Sequence, residues 1–173
     1  RALFLGSDEF IEGATYYHLP QYAGPASNYS RPLTGFTCNF NSNRWPLGGG
    51  NWLLYGYDLP GQNLKSAKIT LDVGYYEAGE LLVEYSTDGE AFVVFGRLAG
   101  LGRLDAAVPA SAFPAGKLYI RLRSLGSLQV YGYGFTAELS EAFPEPVRGN
   151  TDYVVFLQQA PDVVASLAVV NPP

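Results

Sequence analysis

The segment 43–52 contains the side chains best suited to hold a ring-shaped ligand. Two tryptophans, an arginine and two asparagines lie there around three consecutive glycines. Indole rings stack on the apolar CH face of a pyranose, while guanidinium and amide groups hydrogen-bond its hydroxyls. Two tyrosines from the preceding segment add aromatic surface. The candidate ligand-binding residues are Asn43, Arg44, Trp45, Asn51, Trp52, Tyr17 and Tyr22.

The two tryptophans are expected to have different roles. Trp52 is followed by Leu53 and Leu54, a pattern typical of the start of a buried strand, so it should anchor that strand. Trp45 precedes a proline on a glycine-rich loop, and this context leaves exposure and burial equally open. Trp45 is therefore the main candidate for stacking on a ligand.

Other chemistry finds less support in the residue pattern. A phosphate-binding loop opens a helix and continues with Lys and Ser or Thr, whereas the glycines at 48–50 lead into an apparent strand. A serine triad or a zinc site needs histidine, and the sequence contains only His18, which is expected to be structural or on the surface. No catalytic residue is assigned.

Carboxylate chemistry stays open as an alternative, because glycosidases use two acids about 5 to 9.5 Å apart. No pair in this sequence is marked by its spacing. Glu84 is expected to be a surface charge that pairs across a sheet with an arginine such as Arg121. A small carboxylate-dependent hydrolase or lyase would need two acids that meet in a cleft beside an exposed aromatic residue.

Composition restricts the class of partner. The 173 residues carry a formal net charge of -5, and the eleven basic residues are scattered, which argues against nucleic-acid binding. No apolar run approaches the ~18 residues that suggest a membrane span. The single Cys38 cannot form an internal disulfide and is expected to be a small buried or half-buried hydrophobe.

The elements that must position these residues are β-strands. Short segments rich in Val, Ile, Tyr and Phe lie between glycines and prolines, and several alternate apolar with polar residues. Strands are clearest at 68–76, 118–124 and 128–139, and 81–96 reads as a hairpin turning at Asp-Gly. Their spacing predicts a β-sandwich or jelly roll.

One predicted strand has an aromatic face. Tyr131, Tyr133 and Phe135 alternate with Gly132 and Gly134, so the three rings are expected to share one face that packs in the core. The two glycines leave room for a bulge, a bend or a closely approaching backbone.

The chain is expected to form one domain over 1–173. The segment 143–150, FPEPVRGN, is the best candidate for a linker. Residues 151–173 would then be strands that close the sandwich or the start of a neighbouring domain.

The run VEYSTDGEAFVVFGRL at 83–98, followed by LYIRLRS at 118–124, resembles galactose-binding-like jelly rolls. That group includes discoidin or coagulation-factor type C domains and many carbohydrate-binding modules. The resemblance extends over about 52–139, roughly half of the chain, and lacks the flanking cysteine pair of discoidin domains. It implies an all-β, jelly-roll β-sandwich that is galactose-binding-domain-like, without assigning a sugar site residue by residue.

The resemblance also implies that a structural calcium ion is compatible with the fold, although no cofactor is required. Calcium takes six to eight oxygen ligands, and no D-x-D-x-D-G loop is present. Because the end strands of such folds often meet, the metal candidates are Asp8, Glu9 and Glu138.

The function predicted from the sequence is non-catalytic glycan recognition by a module of a larger secreted or cell-surface protein. Its partners would be a polysaccharide and other domains of the same parent chain. The alternative in another class is a structural or protein-interaction sandwich packed against a catalytic domain, which would bury both tryptophans.

Overall fold

The computed structural model describes residues 3–22 and 30–149, and the backbone of two later strands. Within this part of the chain the regular structure is almost entirely β, as predicted, with one 3-10 turn at Ala110–Ala112. This part of the chain contains no helix that is long and apolar enough to cross a membrane. The strands are β1 (Glu9–Glu12), β2 (Thr15–His18), β3 (Leu33–Phe36), β4 (Trp45–Leu47), β5 (Trp52–Tyr57), β6 (Leu64–Ala78), β7 (Leu81–Ser86), β8 (Val93–Leu98), β9 (Gly102–Ala107), β10 (Leu118–Ser124), β11 (Ser127–Leu139), β12 (Val147–Arg148), β13 (Asp152–Phe156) and β14 (Ser166–Val170).

Two antiparallel sheets form a sandwich. Sheet A has the order β12-β1-β2-β11-β6-β9, with β4 also paired to β11, and sheet B has the order β3-β5-β10-β7-β8. Eight strands, β2 and β5 to β11, form the central part of the sandwich. If these eight are renumbered 1 to 8 in chain order, β2-β11-β6-β9 of sheet A becomes 1-8-3-6 and β5-β10-β7-β8 of sheet B becomes 2-7-4-5. This connectivity is that of two Greek keys wound into a jelly roll. The predicted jelly-roll β-sandwich is confirmed.

Aromatic side chains from both sheets fill the space between them. The Tyr57 ring of β5 stacks on Phe135 of β11 at 3.6 Å between centroids, and Tyr55 stacks on Tyr133 at 4.3 Å. The hydroxyls of Tyr57 and Tyr133 hydrogen-bond at 2.8 Å, which satisfies polar groups that would otherwise be costly to bury. Burial raises the pKa of both phenols, so they stay protonated and act as donors.

A bulge in β11 divides the predicted aromatic face. Val130 pairs with Val73 and Gly132 pairs with Asp72, so Tyr131 is an extra residue on its strand. A bulge of this kind re-aims a side chain. Tyr133 and Phe135 lie in the core as expected, but Tyr131 is 36% exposed, and its predicted place in the core is wrong.

The C-terminal strands bear on the predicted boundary. β12 lies inside the linker candidate 143–150 and pairs with β1, so that segment contributes to sheet A. β13 and β14 pair with each other as a two-stranded sheet. The assignment of 151–173 to the sandwich or to a neighbouring domain stays a prediction.

Candidate functional site

Trp45, the main sequence candidate for stacking, is a core residue. It lies in β4 opposite Val130 of β11 and has no exposed surface. Its ring packs against Phe36 and Phe40 at 5.6 and 5.4 Å between centroids. The expectation that Trp45 contacts a ligand is wrong, because strand pairing with β11 turns its side chain inward.

Tyr22 is buried in the same region. Its hydroxyl lies 3.1 Å from that of Tyr55, and its ring packs edge-on against Phe40 at 5.6 Å between centroids. Burial raises the pKa of Tyr22 well above its ordinary value. Tyr22 therefore helps to close the core, and its predicted contact with a ligand is wrong.

The loop 43–52 divides its remaining candidates between two faces of the molecule. Asn51 accepts a hydrogen bond from Thr37 Oγ1 at 3.1 Å, which ties the loop to the end of β3. Trp52 begins β5 as expected and lies half-buried on the outer face of sheet B, with its ring over Gly35. Asn43 and Arg44 instead lie at the edge of sheet A, joined by a 2.9 Å hydrogen bond.

An exposed aromatic patch lies beside Arg44. The ring of Tyr131 rests on Gly74, where a Cβ atom would come within 2.5 Å of it, so only glycine fits beneath the ring. The Arg44 guanidinium carbon lies over that ring at 5.8 Å from the centroid. Tyr75 is 44% exposed and pairs across the strands with Gln129. We call Tyr131, Tyr75, Gln129, Arg44 and Asn43 the tyrosine patch.

A groove continues from the tyrosine patch across the outer face of sheet A. It consists of two open hollows. The upper hollow, at Thr70 and Gly134, has a volume of about 510 Å³, and the lower hollow, at Ser66 and Glu138, has a volume of about 250 Å³. Lys68, Ala107 and Thr136 line both. We call the two hollows together the sheet A groove. Among its lining residues are Leu19, Lys68, Thr70, Arg103, Asp105 and Thr136, with Glu138 in the lower hollow.

Small residues create the sheet A groove. Gly134 lies in its floor, where a Cβ atom would come within 3.1 Å of Thr70 and 3.2 Å of Leu19. Large side chains on this stretch of β11 and β6 would fill the hollow. Because the glycines of β11 have no side chain, a depression remains between Leu19 and the charged residues of β9.

The tyrosine patch and the groove belong to one surface. Gly132, the residue after Tyr131, pairs with Asp72, and Asp72 pairs with Arg103 in the groove wall. At the lower end, Tyr17 pairs with Thr136 and stacks on Phe10 at 4.5 Å between centroids. Of the ligand-binding candidates predicted from the sequence, Tyr17 is thus one that lies next to the groove.

The acidic residues of the groove have polar neighbours within the protein. The adjacent Thr70 hydroxyl and the Arg103 guanidinium, which donates to Asp105 at 3.1 Å, lower the pKa of Asp105. A glycosidase general acid needs a raised pKa, so Asp105 does not suit that role. Glu138 accepts a hydrogen bond from Thr15 Oγ1 at 2.9 Å.

The calcium candidates are already bonded to other protein groups. Glu9 is buried and bonds both the Arg31 guanidinium and the Tyr16 hydroxyl, while the Gly6 N–H donates to it at 2.6 Å. Its carboxylate is thus already matched by a cation and two donors. The side chains around Glu9 do not fit the calcium ion that the resemblance implies.

The other two metal candidates have separate partners. Asp8 contacts His18 Nε2 at 3.2 Å, and Glu138 lies on β11 at the end of sheet A where β2 begins. In residues 3–22 and 30–149, no three His, Cys, Asp or Glu side chains converge as a metal site would require.

His18 is structural, as one of its two predicted roles required. It is buried, with Nδ1 at 2.8 Å from the Tyr57 hydroxyl and Nε2 at 2.9 Å from Ser30 Oγ. Asp8 and Ser30 meet the same ring nitrogen, whereas a catalytic triad places the acid and the nucleophile on opposite nitrogens. Cys38 is half-buried as predicted, and burial raises the pKa of its thiol to about 11.

Glu84 pairs with Arg121 as predicted, but the expectation that it is a surface charge is wrong. Its side chain is 3% exposed and accepts bonds from Arg121 at 2.6 Å and Arg123 at 2.7 Å. The two arginines lie over it and exclude solvent.

Comparison with known proteins finds distant structural similarity only. No known protein family matches the sequence, and no curated protein matches it. Among solved structures, an acetyl xylan esterase (Est2A) from the rumen bacterium Butyrivibrio proteoclasticus is similar at 16% identity and a TM-score of 0.44, over 76% of this chain. The chain spans about a third of that esterase, 34% of its length.

Two further solved structures are similar over most of their own length. TmCBM61 in complex with β-1,4-galactotriose has 11% identity and a TM-score of 0.35, over 81% of this chain and 91% of that one. CBM35 from Cellvibrio japonicus Abf62 has 13% identity and a TM-score of 0.31, over 86% of this chain and 98% of that one. Similarities this distant assign neither a ligand nor an activity to this chain.

Proposed function

We propose that this chain is a non-catalytic glycan-recognition domain of the galactose-binding-like type, and that the outer face of sheet A binds a neutral polysaccharide. The observation that carries the proposal is the continuity of an exposed tyrosine patch with a polar groove on one sheet face. This is the pairing of aromatic surface and convergent polar groups by which proteins hold sugars.

The tyrosine patch is the stacking element of the proposed site. Tyr131 and Tyr75 expose 36% and 44% of their surface, and aromatic rings pack on the apolar CH groups of a pyranose. Arg44, Asn43 and Gln129 lie beside them and offer planar donors and acceptors to the sugar hydroxyls. A ring held on the patch would thus be oriented by its hydroxyls.

The sheet A groove extends the proposed site along the polymer. From Asp72 to Ser66, β6 runs for about 20 Å at the usual rise of a strand, which accommodates several linked rings. Threonine hydroxyls offer both donors and acceptors. Lys68 and Arg103 are balanced by Asp105 and Glu138, so the groove favours an uncharged glycan.

We propose, as the sequence predicted, that the domain belongs to an extracellular or cell-surface protein whose other domains act on or display the same glycan. Calcium is not part of this proposal, because Arg31 already occupies the Glu9 carboxylate.

The test is binding to an array of neutral polysaccharides by wild type and matched variants. Tyr131→Ala should weaken binding at least about tenfold, whereas Tyr131→Phe should retain most of it, because the ring and not the hydroxyl carries the stacking. Thr136→Trp should block the groove, and Ser111→Trp, on the exposed 3-10 turn, is its control.

Two results would overturn the proposal. One is a wild-type protein that binds no neutral glycan of the array. The other is a bound glycan whose affinity is unchanged by both Tyr131→Ala and Thr136→Trp, since the ligand would then lie elsewhere.

A further inference from the structure

The outer face of sheet B contains a second arrangement of aromatic and charged residues. Arg121 and Arg123 are two residues apart on β10, so both side chains lie on the same face of the sheet. Both bond the single carboxylate of Glu84 on β7. Two guanidinium groups therefore meet one carboxylate, and one positive charge of this cluster is unmatched.

The arginines are held in fixed orientations. Glu84 binds Arg121 through Nε at 2.6 Å and Arg123 through Nη2 at 2.7 Å. The guanidinium of Arg121 also lies 3.8 Å from the centroid of the Phe92 ring, which holds its plane against the protein. A guanidinium fixed in this way loses little further freedom when it binds a ligand.

Several N–H donors of this pair point to no protein acceptor. A guanidinium carries five N–H donors, and the bonds to Glu84 use the Nε of Arg121 and the Nε and Nη2 of Arg123. In residues 3–22 and 30–149, no acceptor bonds Nη1 or Nη2 of Arg121. The two side chains keep 26% and 33% of their surface exposed.

Trp52 places an aromatic ring beside this pair. It is the strand partner of Arg123, and directly opposed residues on neighbouring strands have Cβ atoms about 4.5 to 5.5 Å apart. Its ring is half-buried over Gly35, on the same outer face. The ring lies towards β3 and the guanidinium groups lie towards β7, so about two strand spacings, roughly 10 Å, separate them on this face. This distance suits neighbouring sugars of one glycan chain.

We propose that this face is a second binding site, for the carboxylate groups of an acidic glycan built from uronic acids. Planar carboxylates match the paired N–H donors of a guanidinium, and Trp52 would stack on a neighbouring sugar ring of the same glycan chain. An acidic protein segment would satisfy the arginines but leave the ring without a pyranose. The site is independent of the neutral-glycan site on sheet A.

The test measures binding of polygalacturonate by the full chain at low ionic strength. Arg121→Gln leaves Arg123 to neutralise Glu84 and should weaken binding about tenfold or more, because it removes charge-assisted hydrogen bonds. Trp52→Ala should weaken it as well. Arg97→Gln, at the edge of the same face in a separate pair with Glu80, should change binding little.

Further variants separate this proposal from folding defects and from the site on sheet A. Thermal unfolding identifies any variant that fails to fold, and Arg121→Lys keeps the charge while losing the planar donor edge, so it should also bind more weakly. Tyr131→Ala should leave polygalacturonate binding unchanged while it lowers binding of neutral glycans. Either site can then fail without the other.

Three results would overturn the proposal. The first is a wild type that does not bind polygalacturonate. The second is equal binding by wild type and the folded Arg121 variants. The third is binding of polyglutamate or dextran sulfate as tight as that of polygalacturonate, which would indicate an acidic protein partner or attraction by charge alone.

Discussion

The two outer faces of the sandwich use similar residue types in different shapes. Each has an aromatic ring lying over a glycine, Tyr131 over Gly74 on sheet A and Trp52 over Gly35 on sheet B. Sheet A continues into a groove because glycine and threonine form its floor. Sheet B differs, because its outer face is covered by the large side chains of β10, Tyr119, Arg121 and Arg123. Side-chain size on the strands beside the ring therefore decides whether a face forms a groove or stays flat and offers only its charged groups to a ligand.

The ion pairs of the two faces differ in burial, and we expect the largest difference in stability when the cations of each face are removed. Arg121→Ala combined with Arg123→Ala removes both partners of Glu84 and uncovers it to solvent, and the loss of the charge-assisted hydrogen bonds should lower the free energy of unfolding by about 2 to 3 kcal/mol. Lys68→Ala combined with Arg103→Ala removes exposed charges from sheet A. That matched variant should unfold at nearly the same urea concentration as wild type. Equal losses from both would contradict the comparison.

The pH dependence of that loss has a definite sign. Burial by itself raises the pKa of Glu84, but the hydrogen bonds from Arg123 and Arg121 outweigh it and lower the pKa below its ordinary value of 4.5. The stabilisation is therefore present at neutral pH and is lost as the pH falls through the lowered pKa. Urea midpoints of wild type and the double arginine variant should converge as the medium becomes more acidic than pH 4.5.

Substitution of the glycines beneath the two rings is expected to have a smaller effect on stability. Gly74→Ala would put a Cβ atom 2.5 Å from the Tyr131 ring, whereas Gly35→Ala would put one 3.0 Å from Trp52. Gly74→Ala should displace Tyr131 and destabilise the fold by about 1 to 3 kcal/mol, as overpacking does. Gly35→Ala should cost less. Thermal unfolding measures both, and neutral-glycan binding should fall in Gly74→Ala only.

The two tryptophans should differ in access to a quencher. In Trp52→Phe, the remaining Trp45 is fully buried and should resist quenching by acrylamide. Wild type should show a quenched fraction contributed by Trp52. A Trp45 that is quenched in the folded Trp52→Phe variant would mean that β4 opens in solution.

The smallest expected effect is that of chelation. Arg31 supplies the cation that bonds Glu9, so added EDTA should leave the thermal midpoint and both glycan affinities unchanged. A midpoint that falls with EDTA and recovers with calcium would locate a metal site in this protein and contradict the role given to Arg31.

The sequence predicted much of the scaffold and part of the chemistry. Alternating apolar and polar residues predicted the strands, since side-chain direction repeats every two residues whatever the neighbouring strand is. The pairing of Glu84 with Arg121 also followed from residue types, and a structural role was one of the two roles expected of His18. The resemblance over 52–139 correctly implied the jelly roll.

The candidate site was harder to predict because it depends on strand partners. The sequence placed Trp45 on a loop, but pairing with β11 makes it core. Tyr131 was assigned to the core, but a bulge makes it exposed, and Gly132 beside it was the one signal available for that outcome. Tyr75, Gln129 and the groove had no local signal.

The fold class, most strand faces and the aromatic, amide and guanidinium groups available for binding can thus be read from the amino-acid sequence. Which of these groups become neighbours depends on the folded chain, because register and bulges between distant strands bring Tyr131 to Arg44 and Trp52 to Arg123. Local pattern specifies which way a side chain faces relative to its own strand. Whether that direction leads to core, groove or solvent is set by the strands packed against it.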